Sequence, residues 1–179
     1  MNEMSVLPRA DLDTSGFGTT CSTAPTRGTV TDRCVVAVVL TWRGNVGLFK
    51  RSADVAHDRG RWHCLTGYVE AANQPWSQII QELYEETGLS VADLNMLERG
   101  PALRLEDAAG NTWTVHTFRA DTHRKRLRLN WEHDTYRWVA PGAVARFDGQ
   151  VSWLGDVIAA VSTSGRSGST FARSTGSAT

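Results

Sequence analysis

The chain is poor in cysteine, carries no net charge and opens without a long apolar run. Only three cysteines, Cys21, Cys34 and Cys64, occur in 179 residues. Their spacing fits no metal-binding pattern, and an odd number cannot all pair within one chain. Reduced thiols in a cytoplasmic setting are therefore expected, with Cys34 and Cys64 packed inside apolar strands. Residues Met1 to Thr31 hold no stretch suited to a membrane span or a secretory leader, so no membrane partner is expected. The 19 basic and 19 acidic side chains cancel, which argues against broad nucleic-acid binding. One basic stretch remains, His123-Arg-Lys-Arg-Leu-Arg128, and it reads as a solvated loop or edge strand. There is no internal repeat.

Residues 1–31 are rich in Thr, Ser, Gly and Pro and read as a flexible arm. Residues 163–179 form a Ser/Gly/Thr-rich tail with too few apolar groups to fold alone. One domain is expected between them, over 32–162.

Within it strands and helices alternate. Cys34–Trp42 is a continuous apolar run, suited to a strand buried on both faces. Arg43-Gly44-Asn45 is a turn, and Val46–Lys50 completes a hairpin. A polar loop follows over Arg51–Arg61, then a strand over Trp62–Val69. Leu94–Gly100 and Thr112–Ala120 read as strands around an Asp107–Asn111 turn. Arg128–Asn130 and Thr135–Val139 are further strand candidates, and Pro141-Gly142 interrupts. Val151–Val161 suits a closing helix, with Trp153, Val157, Ile158 and Val161 as its apolar stripe. The alternation is that of an α/β fold with a mixed sheet flanked by helices.

A helix is expected just before Gly88. Pro75 suits its first turn, Asn73 its cap and Gly88 its stop. Trp76, Ile79, Ile80 and Leu83 make an apolar stripe. Glu82, Glu85 and Glu86 crowd its last turns, where like charges repel and the helix dipole disfavours anions. No Lys or Arg lies between Trp62 and Leu97 to relieve them. Such a cluster calls for a cation, and oxygen-only donors select a hard one, Mg²⁺ or Mn²⁺.

The segment Gly67-Tyr-Val-Glu-Ala-Ala-Asn73-Gln-Pro-Trp-Ser-Gln-Ile-Ile-Gln81-Glu82-Leu-Tyr-Glu85-Glu86-Thr-Gly88-Leu89 resembles the Nudix hydrolase signature, G-x5-E-x7-R-E-U-x-E-E-x-G-U with U apolar. Gly67, Glu82, Leu83, Glu85, Glu86, Gly88 and Leu89 match in register. Asn73 stands where the family has Glu, and Gln81 where it has Arg. The resemblance implies a Nudix-like α/β/α sandwich with a mixed β-sheet. It also implies metal-dependent hydrolysis of a nucleoside diphosphate linked to another moiety, a nucleoside triphosphate or a nucleotide sugar.

Carried over by residue, it makes the Gly67 carbonyl, Glu82, Glu85 and Glu86 metal ligands, with Glu82 also a candidate base. Glu132, just before an aromatic strand, is a second catalytic candidate. In the family the box Glu and Arg pair and help orient the acids. Here Asn73 and Gln81 are both amides, which can replace that pair with a hydrogen bond. A box without its Glu and Arg also fits a Nudix-like nucleotide-binding sensor without turnover. Homodimers are common in the family, but the sequence locates no interface.

Several residues are candidates to bind substrate. An Arg fork suits phosphate, which singles out Arg51 at the end of the second strand. His63, Tyr68 and Trp113 offer flat rings for a base, as do Trp42 and Phe118. Tyr68 also replaces the second Gly of the family's Gly-Gly opening.

Overall fold

The computed structural model describes residues 4–5, 33–70, 73–107 and 110–164. Its strands in chain order are β1 (Met4–Ser5), β2 (Arg33–Trp42), β3 (Asn45–Arg51), β4 (Trp62–His63), β5 (Leu65–Tyr68), β6 (Leu94–Asp107), β7 (Thr112–Thr122) and β8 (His133–Val139). The helices are α1 (Pro75–Thr87), α2 (Pro141–Val144) and α3 (Leu154–Ser164). Apart from the β1 pairing with β6, the expected arm lies outside the described residues. So does the expected tail, beyond the last residues of α3.

Strand β2 organises the fold because both of its faces are apolar. Side chains alternate along a strand, so Val35, Ala37 and Val39 enter one buried cluster and Val36, Val38 and Leu40 the other. Helix α3 covers the first face with Leu154, Val157 and Val161, joined by Trp153 just before it. Helix α1 covers the second with Ile79 and Leu83. One edge of β2 pairs in parallel with β7, and its other edge pairs antiparallel with β5 and β3. A mixed sheet between helices is the α/β/α sandwich that the resemblance implied.

Several elements differ from expectation in ways that shape the site. The run Trp62–Val69 is not one strand. It breaks at Cys64 and changes partner, with His63 opposite Phe49 on β3 and Leu65 opposite Val38 on β2. Residues Arg128–Asn130 form no strand. Pro141 opens the short helix α2 instead of interrupting the chain, as suits a residue whose N–H would be unpaired in a first turn. Cys64 is free and buried, but Cys34 is disulfide-bonded, so the expected set of reduced thiols is corrected. Among the described residues, no helix is long and apolar enough to cross a membrane.

Candidate functional site

Helix α1 carries two rows of polar side chains. Residues four apart lie on one face of a helix, so Gln78, Glu82 and Glu86 form one row and Gln81 and Glu85 the next. The first row is buried and the second exposed. The helix starts at Pro75 and stops at Gly88, whose φ of 71° only glycine adopts readily and whose N–H reaches Tyr84 O at 2.8 Å. The cap is Gln74 rather than Asn73 and makes no side-chain bond. The Asn73 amide goes elsewhere: its Nδ2 donates to Gln78 Oε1 at 2.9 Å. Of the expected apolar stripe, Ile79 and Leu83 are fully buried, whereas Trp76 is half in solvent.

Glu86 has the most demanding position. It is 1 % exposed, and neither carboxylate oxygen has a hydrogen-bond partner. His133 Nδ1 lies 3.7 Å from its Oε2. Burial, reinforced by the charges of Glu82 and Glu132, pushes its pKa well above the ordinary carboxylate value. Burial also raises Glu82, although a bond from Gln78 Nε2 to Glu82 Oε1 at 2.8 Å works the other way. His133 cannot supply a compensating charge. Burial and then Arg51 lower its pKa to about 4, so it is neutral at physiological pH.

Glu82 and Gly67 meet where β5 passes the helix. Glu85 faces outward and accepts from Gln81 Nε2 at 2.9 Å. The Asn73–Gln81 hydrogen bond expected from the sequence is therefore not formed, because the two amides point to different partners. Among the described residues no three His, Cys, Asp or Glu side chains are gathered closely enough to hold a metal ion on their own. The donors that suit a hard cation are the unpartnered Glu86 carboxylate and the adjacent Glu82, with the Gly67 backbone at hand. That set fits Mg²⁺ or Mn²⁺ chemistry, since an orphaned buried carboxylate is costly without a cation.

A cavity of about 480 Å³ opens over these residues. Gly67, Gln81, Glu82, Glu85, Arg51, His63, Tyr68, Trp113 and Glu132 all line it. Asn73 and Glu86 are not among its lining residues.

The aromatic candidates separate. Tyr68 is 56 % exposed and its ring lies 6.0 Å from that of Trp113. Trp113 is buried; its Nε1 donates to Asp107 Oδ2 at 3.2 Å and the Arg33 guanidinium sits 5.0 Å over its ring. It is a wall rather than an open platform. His63 is buried edge-on against Trp153, ring centres 4.3 Å apart, and burial lowers its pKa to about 3. Phe118 is fully buried, and Trp42 lies in a separate surface groove with Lys125 and Trp138. Sequence reasoning missed three residues: Gln78, His133 opposite Glu86, and Trp131, which is 64 % exposed at the cavity. Only Gln78 had a usable signal, its four-residue spacing from Glu82.

The family model described as NUDIX domain matches residues 31–161. A stretch of 93 residues, 49 % of the chain, is 36 % identical to an octanoyltransferase of Myxococcus xanthus, and the match covers 25 % of that protein. The chain thus spans about a quarter of the curated relative it matches. Among solved structures, a MutT protein from Methanosarcina mazei superposes with a TM-score of 0.62 at 17 % identity, covering 75 % of this chain and 95 % of that one. The NUDIX domain of Shewanella oneidensis NrtR, complexed with ADP ribose, gives 0.63 at 14 % identity over 79 % and 94 %. The E. coli dihydroneopterin triphosphate pyrophosphohydrolase gives 0.59 at 21 % identity over 70 % and 91 %. At these identities the superpositions establish the fold, and the family model covers most of the chain. The chain belongs to the NUDIX family of hydrolases.

Proposed function

We propose that the chain is a Mg²⁺- or Mn²⁺-dependent pyrophosphohydrolase that cleaves a phosphoanhydride bond of a nucleoside diphosphate linked to another moiety. A nucleoside triphosphate and a nucleotide sugar both meet that description. The observation that carries the reading is the Glu86 carboxylate, buried with both oxygens unpartnered beside Glu82. A divalent cation supplies charge screening for phosphate oxygens and makes a water easier to deprotonate. Glu86, Glu82 and the Gly67 carbonyl would hold it, with Glu85 on the exposed row of the helix.

The remaining roles belong to side chains around the cavity. Arg51 offers its guanidinium to the phosphates, while its Nε donates to His57 O at 3.1 Å and steadies the fork. Glu132 takes a proton from the attacking water. Tyr68 and Trp131 flank the organic part of the substrate, with Trp113 as the wall behind Tyr68. The ADP ribose bound by the NrtR domain and the triphosphate named for the E. coli enzyme support this substrate class.

A second reading, a nucleotide-binding module without turnover, has one observation in its favour. Among the described residues, no ready-made three-residue metal cluster is present.

The experiment is release of phosphate and pyrophosphate from nucleoside di- and triphosphates, nucleotide sugars and dinucleotides, with Mg²⁺, Mn²⁺ or EDTA, beside Glu86→Gln. Turnover that needs metal and is lost in the variant supports the hydrolase. Tight nucleotide binding with no turnover in any arm favours the binding module.

A further inference from the structure

Glu82 is held by a contact that the family signature does not contain. Gln78 sits one helical turn before it and is 2 % exposed. Its Nε2 donates to Glu82 Oε1 at 2.8 Å. Its Oε1 accepts from Asn73 Nδ2 at 2.9 Å and from the Glu70 backbone N–H at 3.4 Å. Those two donors fix the orientation of the amide. A flipped Gln78 would turn its oxygen toward a carboxylate and its NH₂ toward two N–H groups, and every contact would become unfavourable.

The resemblance gives this orienting task to a Glu–Arg pair at the positions of Asn73 and Gln81. Here those positions have separated. Gln81 bonds Glu85 on the exposed row, while Asn73 turns inward to Gln78. The buried row therefore runs from a neutral amide into the two acids. A neutral donor adds no positive charge beside them, so the charge offered to a cation is undiminished. It also avoids stranding one half of an ion pair in a buried position.

We propose that Gln78 is the positioning residue for Glu82 and that Asn73 locks Gln78 in the donating orientation. The Asn73–Gln78–Glu82 chain takes the place of the family's ion pair. This inference rests on the metal-binding reading of Glu82.

The test is Mn²⁺ binding to the full chain, read from the EPR signal of free Mn²⁺ without substrate. Gln78→Met keeps the unbranched shape and removes all three hydrogen bonds of the amide. The Mn²⁺ dissociation constant should rise roughly ten- to a hundredfold, the usual cost of losing a partner that orients a ligand. At saturating Mn²⁺, kcat should fall while the substrate KM holds. Asn73→Ala lies outside the helix on a half-buried residue, so it remains informative if Gln78→Met does not fold. It should weaken Mn²⁺ binding in the same direction. The double variant should be no worse than Gln78→Met alone, because both act through one contact.

Wild-type Mn²⁺ affinity in both single variants overturns the inference while leaving the metal site standing. Fully additive losses overturn the chain from Asn73 through Gln78. A wild-type protein that takes up no Mn²⁺ overturns the metal reading of Glu82, and this inference with it.

Discussion

Glu82 lies so close over Gly67 that a Cβ at position 67 would collide with its Oε1 and Cδ. Glycine is required here for space rather than for an unusual φ. Gly67→Ala must push the Glu82 carboxylate aside or shift strand β5. A displacement on the scale of an ångström at a catalytic group costs about a hundredfold, and kcat/KM should fall by that order. The fold should survive, because Gly67 is only half-buried. Kinetics and a thermal melt on the same preparation check both halves. Wild-type turnover in a folded variant would show that Glu82 is not needed where it stands.

Glu86→Gln should move stability and activity in opposite directions. The native carboxylate is buried without a partner, so in the metal-free protein its ionised form is a charge the surroundings cannot solvate. Removing that charge should stabilise the EDTA-treated protein by about 1–3 kcal/mol, the scale of an unmet polar group, while nearly abolishing turnover. The pH dependence has a definite sign. The folded pKa of Glu86 is raised above 4.5. Its contribution to stability is therefore full below 4.5 and is lost as pH rises through the raised value. The gap between variant and wild type should open with rising pH. Melts in EDTA across that range measure it, and a constant gap would contradict the buried, uncompensated charge.

How much of this was legible depends on the length scale of each signal. The α1 boundaries were readable because Pro75 and Gly88 act locally, through a missing N–H and a left-handed φ. The buried strand β2 was readable from its unbroken apolar run. The break at Cys64 was not, because it comes from a change of partner strand, and pairing between distant segments leaves no local mark. The same limit applies to His133: only the fold brings β8 against α1 and sets its ring beside Glu86. Asn73 could be read as a cap or as half of an amide pair. The structure chose neither, since a buried Gln78 competed for its Nδ2. Trp113 reads as a stacking platform from its type alone; only the fold shows it buried in the cavity wall with the Arg33 guanidinium over its ring.

His116 should make the protein acid-labile independently of the site. It is buried on β7 with Arg99 Nη2 3.0 Å from its Nδ1, and burial, then Arg99, lowers its pKa to about 4 from 6.5. The unfolded chain therefore binds more protons between those values. Stability gained from the neutral ring is present above 6.5 and is lost as pH falls through about 4. His116→Gln cannot take up that proton and should flatten part of the acid slope. His63 and His133, lowered in the same sense, add to that slope. Thermal melts through the acid range test this, and an unchanged slope in the variant would mean that His116 is charged in the folded protein.

Glu132 is the residue whose role a single substitution can sort. Its backbone N–H donates to Asn130 Oδ1 at 3.0 Å, and its Oε1 accepts from Asn130 Nδ2 at 3.3 Å. Its carbonyl accepts from Ser52 N at 2.8 Å, which ties the loop to the end of β3 next to Arg51. The carboxylate is thus set at the cavity by its own loop, and its charge acts on both Glu82 and Glu86. A proton acceptor contributes about a hundredfold or more to rate. Glu132→Gln should lower kcat by that order while leaving Mn²⁺ affinity and substrate KM near wild type, the pattern of an interaction made only in the transition state. Loss of Mn²⁺ affinity instead would make Glu132 a metal ligand. Asn130→Ala should give a smaller loss of kcat in the same direction, because it loosens the carboxylate without removing it.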